Sequence, residues 1–476
     1  MRVLIMSAST GGGHMRTSAA MKNYIEAHRP NDTVRIVDTL EYVGHLYNKT
    51  VSDGYVFMAK NTPKLYGTFY NSANKDNALN NMATKFNKTL SKKLLPLIVE
   101  FMPDVIIVVH AFAAEMASTL RTKYNMKVPV ICIITDFAPH KMYIQDNINK
   151  YVVSSDEMVT SLEDLGVPKN KIESLGIPID VSFYEKYDRN QLMEEMELDP
   201  QKSTLLLMAG SFGVTDILKI YQSIVEVDAD FQIVVITGRN KKLYDAFEKL
   251  LTRSGVISDE ELHTPADETE EEYTDITQDT AQNAEVTGKK TKKRSELSLA
   301  LKDSAENLKV TLKDNAENLK DTLKENAETI KDGFKETLKE NKLIKKLYTG
   351  IGSTGSKPTK LLYFVNDVNK YMYIADLIVT KPGGLTVSEA IASSLPMAIF
   401  KAYPGQEEEN ADFLTRNHMA VKLPKGEKCT QAIQNLLSNP DKLKQMKESC
   451  RKMYKEQSAQ QVLELADKLI QEEKEV

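Results

Sequence analysis

The chain has 476 residues and a formal net charge of −5, which leaves room for two ordinary domains with material to spare and argues against nucleic acid as a partner, since there is no global basic field. Its three cysteines, Cys132, Cys429 and Cys450, are too few and too scattered for a disulfide framework or a ligand-spaced zinc site, a pattern suited to the reducing cytosol. The longest apolar runs, "VIIVV" and "VPVICII", fall far short of the roughly 20 residues a spanning helix needs, and a strand expected from residue 2 leaves no secretory pattern; membrane affinity is expected to be local.

In chain order, "RVLIMS" reads as a strand and "RTSAAMKNYIEAH" as a helix, so Gly11 to His14 form the turn between them. Glycines there let backbone approach a ligand closely, and the free N–H groups of the helix attract anions or hydroxyl oxygens. The spacing is not G-x-G-x-x-G. A dinucleotide site with Asp38 as ribose partner therefore lacks its third glycine. The runs "TVRIV", "DVIIVVH", "VPVICIIT" and "KYVVSS" follow, alternating with helical patterns, which implies a parallel sheet covered on both faces. After a short helix and linker near 188–202, a second set begins: "STLLLMAG", "FQIVVITG", "KLLYFV", "DLIVTKPGG" and "LPMAIF". The expected organisation is a Rossmann-like domain over 1–190, a second over 191–254 and 357–455, and a closing helix over 456–476. A ligand cleft is expected where the carboxyl ends of the two sheets face each other.

Residues 255–356 interrupt the second domain. The stretch 255–285 is crowded with Asp and Glu, lacks Lys and Arg and has few large apolar residues, the composition of a disordered linker. A basic cluster, "KKTKKR", occupies 289–294, and an 11-residue repeat follows: "LKDSAENLKVT", "LKDNAENLKDT", "LKENAETIKDG". Eleven residues at 100° each return to within about 20° of the start, so one long helix would carry a nearly straight apolar stripe flanked by lysines. Two readings fit: a helix lying on an anionic membrane surface, and a right-handed coiled coil or spacer.

The segment "DLIVTKPGGLTVSEAIASSLPMAIFKAYPGQEEENADFL", 376–414, carries the densest chemistry. A strand ends at Pro382, Gly383 and Gly384, and a helix expected from near Thr386 offers free amides to a diphosphate. Glu389, read as lying in the first turn, suits either the helix dipole or the diol of a ribose. Glycine turns at "AGSFG", 209–213, and "TGRN", 237–240, also follow strands and place phosphate-compatible loops on the same sheet edge.

Together, "GGGHMRTSAA", "TDFAPH", "GIPID", "AGSFG", "TGRN", "TKPGGLTVSEA" and "PGQEEENADF" resemble the successive motifs of the processive diacylglycerol glucosyltransferases and monogalactosyldiacylglycerol synthases, family 28 glycosyltransferases. The resemblance covers about 1–254 and 357–460 and omits the insertion. It implies an α/β GT-B fold, two Rossmann-like domains facing across a cleft, and transfer of a hexose from a UDP-sugar to diacylglycerol with inversion. By position, it implies that Gly383, Gly384, Leu385 and Thr386 bind the UDP diphosphate and that Glu389 binds the ribose. Gln406, Glu407 and Asn410 would meet the donor sugar or nearby phosphate, and backbone at Phe364 and Val365 the uracil. Gly210, Ser211, Gly213, Gly238 and Arg239 complete the donor loops. Gly12, Gly13 and His14 would face the acceptor, with Asp136, His140 and Tyr143 close by; Tyr143 stands where many relatives carry tryptophan.

His14 suits a general base because its ordinary pKa lies near operating pH, with a neighbouring carboxylate expected to raise it; Asp136 is the orienter or the rival base. Helix amides can stabilise the departing diphosphate. No D-x-D pair ends a strand beside the donor, so neither a metal nor a cofactor is expected. Glucose and galactose donors fit equally. The partners expected are UDP-sugar, diacylglycerol and an anionic membrane surface, with the protein in the cytoplasm, peripheral on the inner face of the cell membrane. The competing readings are a nicotinamide dehydrogenase, a UDP-N-acetylglucosamine transferase acting on a polyprenyl-linked acceptor, and a noncatalytic lipid-surface scaffold.

Overall fold

Apolar runs with β-branched residues become two six-stranded parallel sheets in a computed structural model, which describes residues 1–9, 12–43, 90–208, 214–253, 357–400, 402 and 405–475. The first sheet comprises β1 (Arg2–Ser7), β2 (Thr33–Asp38), β3 (Val105–Val108), β4 (Val130–Ile133), β5 (Lys150–Val152) and β6 (Ile172–Glu173), in the order β2-β1-β3-β4-β5-β6. The second comprises β7 (Ser203–Met208), β8 (Phe231–Ile236), β9 (Thr359–Leu362), β10 (Leu377–Thr380), β11 (Met397–Ile399) and β12 (Ala420–Lys422), in the order β12-β11-β10-β7-β8-β9. Read from β9, the second sheet has the 3-2-1-4-5-6 order of a doubly wound dinucleotide-type domain. In such sheets ligands bind beyond the carboxyl ends of the strands where the order reverses. Those points are β1/β3 in the first sheet and β7/β10 in the second.

Period-2 alternation divides the first core. Leu4, Met6, Ile106, Val108, Val130 and Cys132 face one side, packed on Leu94, Leu97, Phe101, Ala113, Ala117 and Leu120. Val3, Ile5, Val105, Ile107, Ile131 and Ile133 face the other, where they meet Met21 and Ile25 of the helix Gly12–His28. Val462, Leu463 and Ala466 of the last helix, Ser458–Glu475, fill that same face. The chain therefore returns to the first sheet after completing the second, burying an apolar stripe.

Both sheets belong to one compact unit, residues 1–248 and 355–476. One apolar cluster joins their domains, and within it Phe137 and Phe413 have ring centroids 5.0 Å apart. Asp38, the residue a dinucleotide site would use for its ribose, is engaged locally. Its carboxylate accepts from the backbone N–H of Ser9, Leu40 and Glu41 at 2.8, 2.9 and 3.1 Å, fixing the start of the helix Thr39–Val43. No described helix is long and apolar enough to cross a membrane. Gly210, Ser211 and Gly213, and the whole insertion with its acidic stretch, basic cluster and repeat, lie outside the described residues.

Candidate active site

At the β1/β3 switch point, Gly12 opens a helix and brings His14 against the end of β3. The His14 Nδ1–H donates to the Val109 carbonyl at 3.0 Å, and Thr135 Oγ1 lies 2.9 Å from the same nitrogen. A carbonyl only accepts, so this bond places the proton on Nδ1 and the lone pair on Nε2. His110 stands edge-on, with ring centroids 4.8 Å apart and planes at 90°. Its own Nδ1 accepts from Phe112 N at 3.1 Å, capping the helix Ala111–Tyr124. Part of the His14 surface stays accessible, yet the protein around the ring disfavours the charged form and takes its pKa down to about 4. Among the described residues no carboxylate hydrogen-bonds to it to raise this value, and the lowered pKa favours the neutral imidazole at pH 7. Burial holds His110 well below its ordinary range too.

At the β7/β10 switch point, the helix Gly384–Ala392 begins two residues earlier than the sequence suggested, with Gly383 as N-cap. Gly384 has to be glycine: a β-carbon there would lie 1.9 Å from the Thr135 carbonyl oxygen and 3.0 Å from Asp136 Oδ1. The amide end of this helix thus meets the loop after β4. Gly13 also approaches, 3.9 Å from Leu385 Cβ when given a β-carbon of its own.

Asp136, 4% exposed, faces the second domain rather than His14. Its carboxylate accepts from the Gln406 side-chain amide and from Asn410 Nδ2 at 3.2 Å. Asn410 uses both of its amide N–H groups here, also donating to the Pro382 carbonyl at 3.0 Å, and accepts from Phe137 N at 2.8 Å. This corrects Asp136 as orienter of the base, since Val109 and Thr135 hold His14. Burial raises the Asp136 carboxyl to about 7, opposed by the Asn410 bond.

Glu389 is 2% exposed and is the sixth residue of its helix, past the first turn where the helix dipole acts. The dipole explanation for this residue is therefore corrected. Oε1 accepts from Arg16 of the first domain, while Oε2 has no hydrogen-bond partner among the described residues. Burial raises its pKa to about 7, against the pull of Arg16.

The remaining expected residues divide. Arg239 lies over the ring of Phe364, 4.8 Å from its centroid, just beyond β8 and β9, and Gly238 supplies the left-handed turn between strand and Arg239, φ +61°. Val365 packs on the apolar cluster. Glu407 pairs with Lys381 at 3.0 Å, beside the glycine turn. His140 Nδ1 accepts from Met142 N at 3.3 Å, capping the short turn Lys141–Tyr143. Tyr143 is 6% exposed within the first-domain core, so its ring is spent on packing, a correction to the acceptor-side place the resemblance implied for it. Arg16, His110 and Thr135 were given no role in the sequence, although Arg16 and Thr135 lie inside the motifs "GGGHMRTSAA" and "TDFAPH" and His110 ends the run "DVIIVVH".

Residues 14–179 match the family model for monogalactosyldiacylglycerol (MGDG) synthase, and residues 354–453 match that for glycosyl transferases group 1. Processive diacylglycerol beta-glucosyltransferases of Bacillus licheniformis and Bacillus subtilis are each 24% identical, over 97% of this chain and 93% and 94% of theirs. Along nearly its whole length the chain is similar to these diacylglycerol glucosyltransferases. Acinetobacter baumannii MurG has a similar structure, with a TM-score of 0.52 and 12% identity over 98% of this chain and 99% of MurG. The fold of this glucosyltransferase relative is GT-B, with His14 at the switch point of one Rossmann-like sheet and Gly384 at that of the other.

Proposed function

We propose that the protein transfers a hexose from a UDP-sugar to the free hydroxyl of diacylglycerol, with inversion at the anomeric carbon. One observation carries this reading: Thr135 bonds His14 through its side chain and meets Gly384 through its carbonyl, so a candidate base and a diphosphate-binding helix end are one residue apart. In the reaction the acceptor oxygen bonds to C1 and the C1–O bond to the diphosphate breaks, its electron pair leaving with UDP. The acceptor proton passes to Nε2 of His14, the nitrogen whose lone pair the Val109 bond leaves available. Helix amides at Gly383 to Thr386 stabilise the developing charge on the leaving group. Asp136 is the second candidate for the base, its carboxyl raised into the neutral range.

The names of the relatives favour glucose as the donor sugar, and the MGDG synthase match keeps galactose in view. Offering UDP-glucose, UDP-galactose and UDP-N-acetylglucosamine with diacylglycerol, and following donor depletion with lipid product, tests the reading. Hexosyl-diacylglycerol supports it; transfer only from UDP-N-acetylglucosamine to a polyprenyl-linked acceptor would replace it. With amides rather than a cation on the diphosphate, transfer is expected to survive a chelator, and strict dependence on a divalent metal would contradict that part. The basic cluster at 289–294 and the 11-residue repeat supply a membrane contact in this proposal, attracting anionic lipid at the inner face of the cell membrane. Replacing residues 256–356 with a short Gly/Ser linker is then expected to spare activity on detergent-dispersed diacylglycerol and to reduce vesicle binding. Unchanged vesicle binding would sink the anchor.

A further inference from the structure

We propose that Arg16 is a positioning residue for the donor: from the first domain it holds one oxygen of Glu389 and leaves the other for a ribose hydroxyl. The inference rests on Glu389 meeting the ribose. Arg16 lies on the first turns of the helix Gly12–His28, two residues beyond His14, and its guanidinium donates to Glu389 Oε1. The two ends differ in surroundings, the Arg16 side chain being 50% exposed and that of Glu389 only 3%. A carboxylate buried that deeply costs free energy unless something holds its charge, and while ionised it offers both oxygens purely as acceptors. Arginine, permanently charged and rigid, opposes the burial that raises the Glu389 pKa and fixes the plane of the carboxyl group.

The second oxygen points to the ligand. Glu389 Oε2 is buried without a partner among the described residues, a condition proteins avoid in the absence of a purpose. The other such atoms, on Ser7, Thr17 and Thr39, are hydroxyl oxygens, not a carboxylate held by a cation. A ribose hydroxyl donating to Oε2 completes the set. One helix thereby carries both the base for the acceptor and the residue that readies the donor carboxylate, so donor geometry depends on the first domain being in place.

Calorimetry with UDP and with 2′,3′-dideoxy-UDP, which lacks the diol, tests this. Arg16→Ala is expected to weaken UDP about tenfold while leaving dideoxy-UDP within about twofold. Glu389→Gln is expected to erase the same preference, with Arg16→Ala adding nothing in that background. Arg16→Lys, which keeps charge and most of the reach, is expected to retain part of the preference. Unchanged or tighter UDP binding in Arg16→Ala overturns the inference, and so does equal weakening of both ligands, which would mean a phosphate contact or general loss of domain contact. If Glu389→Gln keeps the full preference for the diol, the ribose assignment itself fails and the inference goes with it. Loss in Glu389→Gln without loss in Arg16→Ala defeats the inference alone.

Discussion

The two switch points are built on the same plan and furnished with different side chains. In the first sheet, the turn after β1 and the end of β3 bring together His14 and His110, two imidazoles that burial keeps neutral. In the second, the turn after β10 offers helix amides, and the carboxylates nearby, Glu389 and Asp136, have pKa values raised to about 7. A neutral imidazole can take a proton from a hydroxyl, whereas a helix end receives an anion. In the function proposed here, the same strand-turn-helix unit serves proton chemistry at one edge and phosphate binding at the other, according to the side chains that follow its glycines.

The sharpest way to break this division is at His14. His14→Ala is expected to lower turnover by about 10²-fold or more, the usual scale for losing a general base, while UDP affinity stays within about twofold. Equal loss of UDP binding would erase the separation between the edges, and near-normal turnover would pass the base role to Asp136. Next comes Gly384→Ala. Its methyl would meet the Thr135 backbone oxygen at 1.9 Å, which neither side can avoid by rotating a side chain, so about 1–3 kcal/mol of overpacking strain opposes the contact between domains. Reduced turnover with an increased radius in small-angle scattering is expected; wild-type values of both would mean the contact is dispensable.

The smallest effect concerns stability. The folded-state pKa of Glu389 is raised from 4.5 to about 7 by burial, so its stabilising contribution is present below the unfolded value and is lost as pH rises through the folded one. Glu389→Gln cannot ionise. Its thermal midpoint is expected to match the wild type at pH 4 and exceed it at pH 8, by about 2 °C or more. A lower midpoint at pH 8 would show that the Arg16 ion pair outweighs the cost of burial.

What the sequence made legible follows from the range of each interaction. Strands β1, β3, β7 and β10 announce themselves as apolar runs, and the glycines after β1 and β10 mark the turns that define both switch points. Strands β6 and β12, of two and three residues, are too short to show any period. Pairings between distant segments left no local mark either. Arg16 with Glu389, Asp136 with Gln406, and Thr135 with Gly384 join residues hundreds of positions apart, and none of these partners could be read from one segment alone. Asp136 reads as a companion of His14 because both carry motif residues; its hydrogen bonds run to the other domain. Tyr143 reads as an acceptor neighbour because the resemblance places it just after "TDFAPH", yet it packs in the core.

The central claim is a single displacement, with the acceptor activated at the first edge and the diphosphate leaving from the second. The anomeric configuration of the glycolipid formed from an α-linked UDP-hexose and diacylglycerol, read from the coupling of its anomeric proton by NMR, tests that claim most directly. The account predicts a β-linked sugar, the product of one inversion. An α-linked product would require a different mechanism and would contradict the roles given to His14 and the Gly384 helix.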